Sequence, residues 1–191
     1  MSETDAATCG GSELMSETEF PPSNTLPVLI DADRIRKRVE ELGRKISEDY
    51  KNQPLVLFVV LKGSFLFCAD LARQLSIPCR IEFIRASSYK DAKVSSGQLQ
   101  LSELPDLRHA NVLVVEDILD SGLTLQKILE HLRSENLASL EVCTLLSKQI
   151  PRDIKIEPKY IGFEIPNRFV VGYGLDYAER YREVPDIRCL D

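Results

Sequence analysis

The chain has no long apolar run: across its 191 residues nothing approaches the roughly 18 consecutive apolar positions that span a bilayer, and the longest, Leu55 to Leu61, is strand-sized. That excludes a membrane-spanning helix. Lys and Arg are missing from the first 27 residues, which hold five acids and no apolar block. A secretory signal or Arg-rich transit peptide needs both, so residues 1–27 read as a disordered acidic tail. A paired-cysteine framework is also lacking, because Cys9, Cys68, Cys79, Cys143 and Cys189 are odd in number and form no Cys-x-x-Cys. Cys68, Cys79 and Cys143 sit in apolar-rich elements and read as small buried thiols, which fits the reducing cytoplasm. Positive charge is not in excess either. The formal net charge is −6, and without the tail's five acids it is −1. A near-neutral domain offers no electrostatic reason to bind nucleic acid or a membrane, so an anionic substrate must be met locally.

Apolar residues make up 43% of the chain, enough for one buried core over residues 28–191. Asp31 or Asp33 can cap a helix whose stripe is Ile35, Val39, Leu42 and Ile46. Leu55 to Leu61 reads as a buried strand. It turns at Lys62-Gly63-Ser64 into a helix through Phe65, Ala69, Ala72 and Leu75. Cys79 to Arg85 alternates as a strand with Ile81 and Phe83 on one side. Ala86 to Pro105 is polar and without period, a length of loop that is usually functional or disordered. Further strands fall near Leu140 to Leu146, Tyr160 to Ile165 and Phe169 to Tyr173. Strands alternating with amphipathic helices argue for a parallel sheet covered on both faces, with ligands beyond the strands' carboxyl ends.

Chemistry concentrates in Val112 to Thr124, Val-Leu-Val-Val-Glu-Asp-Ile-Leu-Asp-Ser-Gly-Leu-Thr. A buried strand delivers Glu116 and Asp117, then Asp120. A small, hydroxyl-bearing turn then opens a helix with Leu125, Ile128, Leu129 and Leu132 on one stripe. The first amides of a helix have no intrahelical partner and its dipole favours an anion, so this turn can hold a phosphate. Adjacent acids repel, and a cation or sugar hydroxyls relieve that repulsion. A phosphate cradle beside such acids suits a phosphorylated ribose. Each feature also has a plainer reading: a solvated strand end for Glu116 and Asp117, an ordinary helix cap for Asp120, a surface turn for Lys62-Gly63.

These residues resemble the phosphoribosyl pyrophosphate signature of type I phosphoribosyltransferases. Leu61-Lys62-Gly63-Ser64, Phe83-Ile84-Arg85 with Ser88-Tyr89, and Gly162 to Arg182 narrow the resemblance to the hypoxanthine-guanine branch. It is collinear from about Val28 onward. It implies an α/β type I phosphoribosyltransferase fold, a mainly parallel sheet with helices on both faces plus a small hood or lid. The implied activity is transfer of the phosphoribosyl group to hypoxanthine or guanine, giving IMP or GMP and pyrophosphate in purine salvage. It also implies magnesium, a homodimer or homotetramer, and the cytoplasm. Transfer to xanthine or adenine is the nearest alternative; a nucleotide-sensing, RNA-binding regulator on the same fold is the more distant one.

The resemblance assigns roles residue by residue. Asp120 is the acid–base group facing the purine's imidazole nitrogen. Glu116 and Asp117 bind the ribose hydroxyls and help to place Mg2+; Asp176 holds Mg2+ on the pyrophosphate. Ser121, Gly122, Leu123 and Thr124 cradle the 5′-phosphate. Lys62, Gly63, Arg85 and Arg182 serve the pyrophosphate, with a non-proline cis peptide before Lys62. Ser88 and Tyr89 lie on a mobile lid that excludes water. Phe169 stacks on the purine, and the Val170 backbone reads its edge. One position departs. The family's lysine donor to the purine's six-position oxygen is expected near the strand before Gly162, and counting back places Glu157 there. An ionised Glu accepts and cannot donate. Either Lys155 or Lys159 supplies the donor, or Glu157 accepts from an exocyclic amine.

Overall fold

The computed structural model describes residues 20–85, 105–152 and 154–191. In chain order its elements are β1 (Val28–Ile30), α1 (Ala32–Asp49), β2 (Leu55–Leu61), α2 (Phe65–Gln74), β3 (Cys79–Arg85), β4 (Asn111–Leu119), α3 (Leu123–Arg133), β5 (Ser139–Lys148), β6 (Tyr160–Ile165), β7 (Val170–Val171) and β8 (Ile187–Cys189). Strands β3-β2-β4-β5-β6 form one sheet in that order, and every neighbouring pair is parallel. A small antiparallel sheet, β1-β8-β7, makes a hood from the two ends of the described chain.

The continuous apolar runs are explained by burial on both sides, since successive strand residues point to opposite faces. Leu57 and Val59 of β2, with Leu113 and Val115 of β4, pack among Ile35, Val39, Leu42 and Ile46 of α1. Val56, Phe58 and Val60, with Val112 and Val114, pack against Leu125, Ile128, Leu129 and Leu132 of α3. Each such buried side chain contributes on the order of 1.5–3 kcal/mol. Helix α1 begins at Asp31, whose side chain accepts the Arg34 amide at 2.9 Å; Asp33 lies in the first turn.

Four expectations are corrected. Helix α2 buries Phe67, Cys68 and Leu71, while Phe65 is exposed. The stripe is rotated because the helix must close on both α1 and β2. Cys79 opens the edge strand β3 and is exposed rather than buried. Burial instead holds the thiol of Cys68 far up, to about 12, and pushes that of Cys143 up as well. The strand expected over Phe169 to Tyr173 shortens to Val170–Val171 because Gly172 turns with φ +99°, and a Cβ there would lie 2.0 Å from the Asp186 carbonyl oxygen. Finally, the last residues of the supposed tail are packed: Leu26 is buried with Val171, Tyr181 and Val184, and Arg188 donates to the Ser23 and Leu26 carbonyls. Residues 1–19 lie outside the described residues.

Candidate active site

Strands β2, β4 and β5 end at the same sheet edge, where Lys62, Glu116, Asp117, Asp120 and the Ser121–Thr124 turn line a cleft of about 260 Å³. Helix α3 rises from this turn behind Gly122, which adopts φ +79°, and no side chain caps it. Asp120 is therefore not a cap. The first amides of α3 are left for an anion, and Ser121 and Thr124 are exposed beside them.

Gly63 sits where three segments converge. A Cβ there would lie 1.5 Å from Asp117 Oδ2, and one on Gly174 would lie 2.1 Å from the Gly63 carbonyl oxygen. Only glycines let the β2 turn, the β4 acids and the hood meet this closely. The Leu61–Lys62 peptide bond is cis. Ser64, fully buried, bonds back to the Val60 carbonyl and holds the turn.

The paired acids are half-buried, and Glu116 Oε2 is sealed from solvent with no hydrogen-bond partner among the described residues. Burial raises the Glu116 carboxyl well above the usual range, and the Asp117 charge adds to the shift. Burial raises Asp117 too, while contacts including the Ile118 amide at 2.8 Å and the Arg182 charge pull the other way. A polar atom buried without a partner is costly. Hydroxyl donors or a cation at this point would relieve it. Among the described residues no three His, Cys, Asp or Glu side chains gather as a metal cage. Mg2+ does not require one, since it commonly keeps waters and takes one or two carboxylates plus substrate phosphates.

Facing these acids is an ionic group from the hood. Arg182 donates to the Gly174 carbonyl at 2.7 Å and pairs with Asp176 at 2.9 Å and Glu179 at 3.0 Å. Lys62 Nζ meets the other Glu179 oxygen at 2.9 Å. Those bonds, Lys62 first, hold the Glu179 carboxyl below its usual range. Sequence reading named Lys62, Asp176 and Arg182 but not Glu179, whose Glu-Arg-Tyr-Arg context looks like an ordinary charged turn.

A second omission is larger. Lys148, the last residue of β5 and buried, donates to Asp120 Oδ2 at 2.8 Å. Arg152 braces both strand ends, donating to the carbonyls of Asp120 at 2.7 Å and Leu119 at 2.8 Å and also to that of Lys148. Lys148 closes a parallel strand, and that position was the signal available in the sequence. The residues weighed in the sequence for the purine's six-position group lie elsewhere. Glu157 and Lys155 are exposed ahead of β6, and Lys159 lies at that strand's amino end with its ammonium over Tyr50 and Tyr160.

The remaining candidates scatter around the cleft. Arg85 ends β3 beside Leu61, exposed at the same edge but not in the cleft wall. Phe169 and Val170 belong to the hood: the Phe169 ring is 45% exposed, while the Val170 side chain joins the main core. Ser88 and Tyr89 lie outside the described residues.

Residues 29–178 match the family model described as a phosphoribosyl transferase domain. A hypoxanthine-guanine phosphoribosyltransferase of Mycobacterium avium is 45% identical over 181 residues, covering 91% of this chain and 89% of the relative. A hypoxanthine phosphoribosyltransferase of Escherichia coli is 44% identical over 168 residues, covering 86% and 94%. The crystal structure of a Staphylococcus aureus hypoxanthine phosphoribosyltransferase superposes with a TM-score of 0.81 at 42% identity, covering 88% of this chain and 94% of that one. The parallel central sheet with its helices thus matches a known architecture, the type I phosphoribosyltransferase fold, and the chain is a member of the phosphoribosyl transferase family.

Proposed function

We propose that this chain is a magnesium-dependent hypoxanthine-guanine phosphoribosyltransferase of purine salvage, joining phosphoribosyl pyrophosphate to a 6-oxopurine with release of pyrophosphate. The observation that carries the choice of base is the Lys148–Asp120 pair at the cleft edge. A 6-oxopurine presents its six-position oxygen next to N7. Lys148 donates to that oxygen while the Asp120 carboxylate accepts the N7 proton. Adenine, with an amine at position six, would turn a donor toward an ammonium that has no acceptor.

The reaction follows from the rest of the site. The α3 mouth and Ser121–Thr124 hold the 5′-phosphate, chiefly by backbone amides. Glu116 and Asp117 accept from the ribose hydroxyls, which supplies Glu116 Oε2 with the partner it lacks. Phe169 stacks on the base, and the Val170 backbone reads its edge. As the bond to the anomeric carbon lengthens, charge develops on the departing pyrophosphate, where Lys62, the Gly63 amide, Arg85 and Arg182 receive it. Asp120 draws the purine proton as N9 attacks, which makes the base more nucleophilic, an effect of about 100- to 10,000-fold for a well-placed general base. Glu116, Asp117 and Asp176 are the residues that would hold Mg2+, which when bound would supply neutralising charge to the leaving group. Asp176 already meets Arg182 and accepts from the Glu179 amide.

Exposed Ile81 and Phe83 on edge strand β3 favour self-association as a homodimer or homotetramer. Cysteines without a paired framework suit the reducing cytoplasm. A steady-state assay of hypoxanthine, guanine, xanthine and adenine with phosphoribosyl pyrophosphate, with and without Mg2+, tests the whole reading. Transfer to hypoxanthine or guanine, dependent on the metal, is expected. Preference for adenine, or no transfer to any base, overturns it.

A further inference from the structure

The purine wall does not end at Phe169. The Tyr177 ring meets Phe169 edge-on, centroids 5.7 Å apart at 86°. Tyr177 is in turn met by Phe20, 5.7 Å away and tilted by 58°, and Phe20 also lies 6.5 Å from Tyr181. The guanidinium of Arg180 stands 4.4 Å above the Phe20 ring and closes the row. Phe20 is held by more than its ring contacts. Tyr181 donates its hydroxyl to the Pro21 carbonyl at 2.7 Å, and Arg188 binds the carbonyls of Ser23 and Leu26 at 3.1 and 2.9 Å. Leu26 is buried beneath them. A segment that composition assigns to a loose acidic tail is thus sewn to the hood, with an aromatic side chain at its end packed on Tyr177 and Tyr181.

Phe169 and Tyr177 are each more than two-fifths exposed. An exposed ring with one free face can stack on a base, but only if its edge is fixed. Tyr177 braces Phe169 through that perpendicular ring contact, and Phe20 is the ring that meets Tyr177 in turn. We propose that Phe20 is a positioning residue for the purine site, acting through Tyr177 to hold Phe169 in its stacking attitude. This rests on the proposed function, which places the base against Phe169. Among the described residues the Phe20 ring meets Tyr177, Tyr181 and Arg180.

The full chain carrying Phe20→Ala, and separately Phe20→Tyr, separates this role from a structural one. Tilted ring pairs of this kind predict a three- to tenfold rise, roughly, in the KM for hypoxanthine in Phe20→Ala, with the KM for phosphoribosyl pyrophosphate changed by less than about twofold. Phe20→Tyr, which keeps the ring, restores the parent value. Calorimetric titration with GMP reads the same loss without turnover. An unchanged hypoxanthine KM and GMP affinity in Phe20→Ala overturns the proposal. So does a parallel rise in both KM values that Phe20→Tyr does not correct, the mark of a loosened fold. Failure of the unaltered chain to transfer any purine strikes the proposed function itself; the Phe20 result is read from the ratio of variant to parent.

Discussion

Lys148 and Asp120 meet across 2.8 Å although they end different strands, β5 and the segment just past β4. Register places them there: Leu119 pairs with Ser147, so the next residue of each strand emerges at the same edge. A buried ammonium needs a partner, and an acid beside the base site is a partner with a use.

Removing the ammonium should therefore damage base binding selectively. Lys148→Met is expected to raise the KM for hypoxanthine by about 10- to 100-fold, the range for a hydrogen bond to a charged donor, while the KM for phosphoribosyl pyrophosphate moves little. Steady-state kinetics with both substrates varied checks this. Glu157→Lys should leave hypoxanthine and guanine kinetics unchanged if, as proposed, Lys148 is the donor. Improved use of either base would return the donor role to the strand before Gly162.

Asp120 neither caps α3 nor packs in the core, and its side chain is half exposed. Asp120→Asn should keep the thermal midpoint and substrate binding near those of the parent while slowing turnover at least tenfold, roughly the lower limit for loss of a general base. Single-turnover rates with saturating substrates measure it. Undiminished turnover would remove the acid–base role.

Glu116 exchanges stability for affinity. Its carboxyl is raised in the folded state, so the fold binds its proton more tightly than the unfolded chain does. Stability from this group is greatest at acid pH and is lost as pH rises through the raised value. Glu116→Gln removes the group whose ionisation burial opposes. Its thermal midpoint near neutral pH should rise by about 2–4 °C, the response to roughly 1 kcal/mol in a domain of this size, and the gain should shrink in acid. The same variant should bind phosphoribosyl pyrophosphate more weakly. A lower midpoint at neutral pH would show that the charge is already compensated.

At Gly63 the expectation reverses. A methyl group would collide with the Asp117 carboxylate 1.5 Å away. Gly63→Ala should cost about 1–3 kcal/mol of stability, as overpacking usually does, and should raise the KM for phosphoribosyl pyrophosphate by displacing Asp117. Denaturant melts and kinetics together test this; a stable variant with unchanged kinetics would mean that the turn relaxes freely.

Local order was legible where one physical rule acts alone. The α1 and α3 stripes, the Asp31 cap and the two-faced β2 and β4 strands follow from periodicity and burial, and the structure shows them. Where two packing partners compete, the reading slipped. Phe65 heads an apolar helix yet faces out because α2 turns Phe67 and Leu71 inward. Phe20 follows an acidic stretch and so looked like tail, although rings far along the chain hold it.

The strand-turn-helix of Val112 to Thr124 determined by itself that a helix mouth would stand beside acids, since a helix start and a buried strand are both local properties. Which cation would face Asp120 was not local. It depended on how β5 slides along β4, and a parallel register is set by the packing of whole faces rather than by neighbours in sequence. For the same reason the union of Glu179 with Lys62 and Arg182, and the row of rings from Phe20 to Phe169, exist only once the hood closes on the sheet edge.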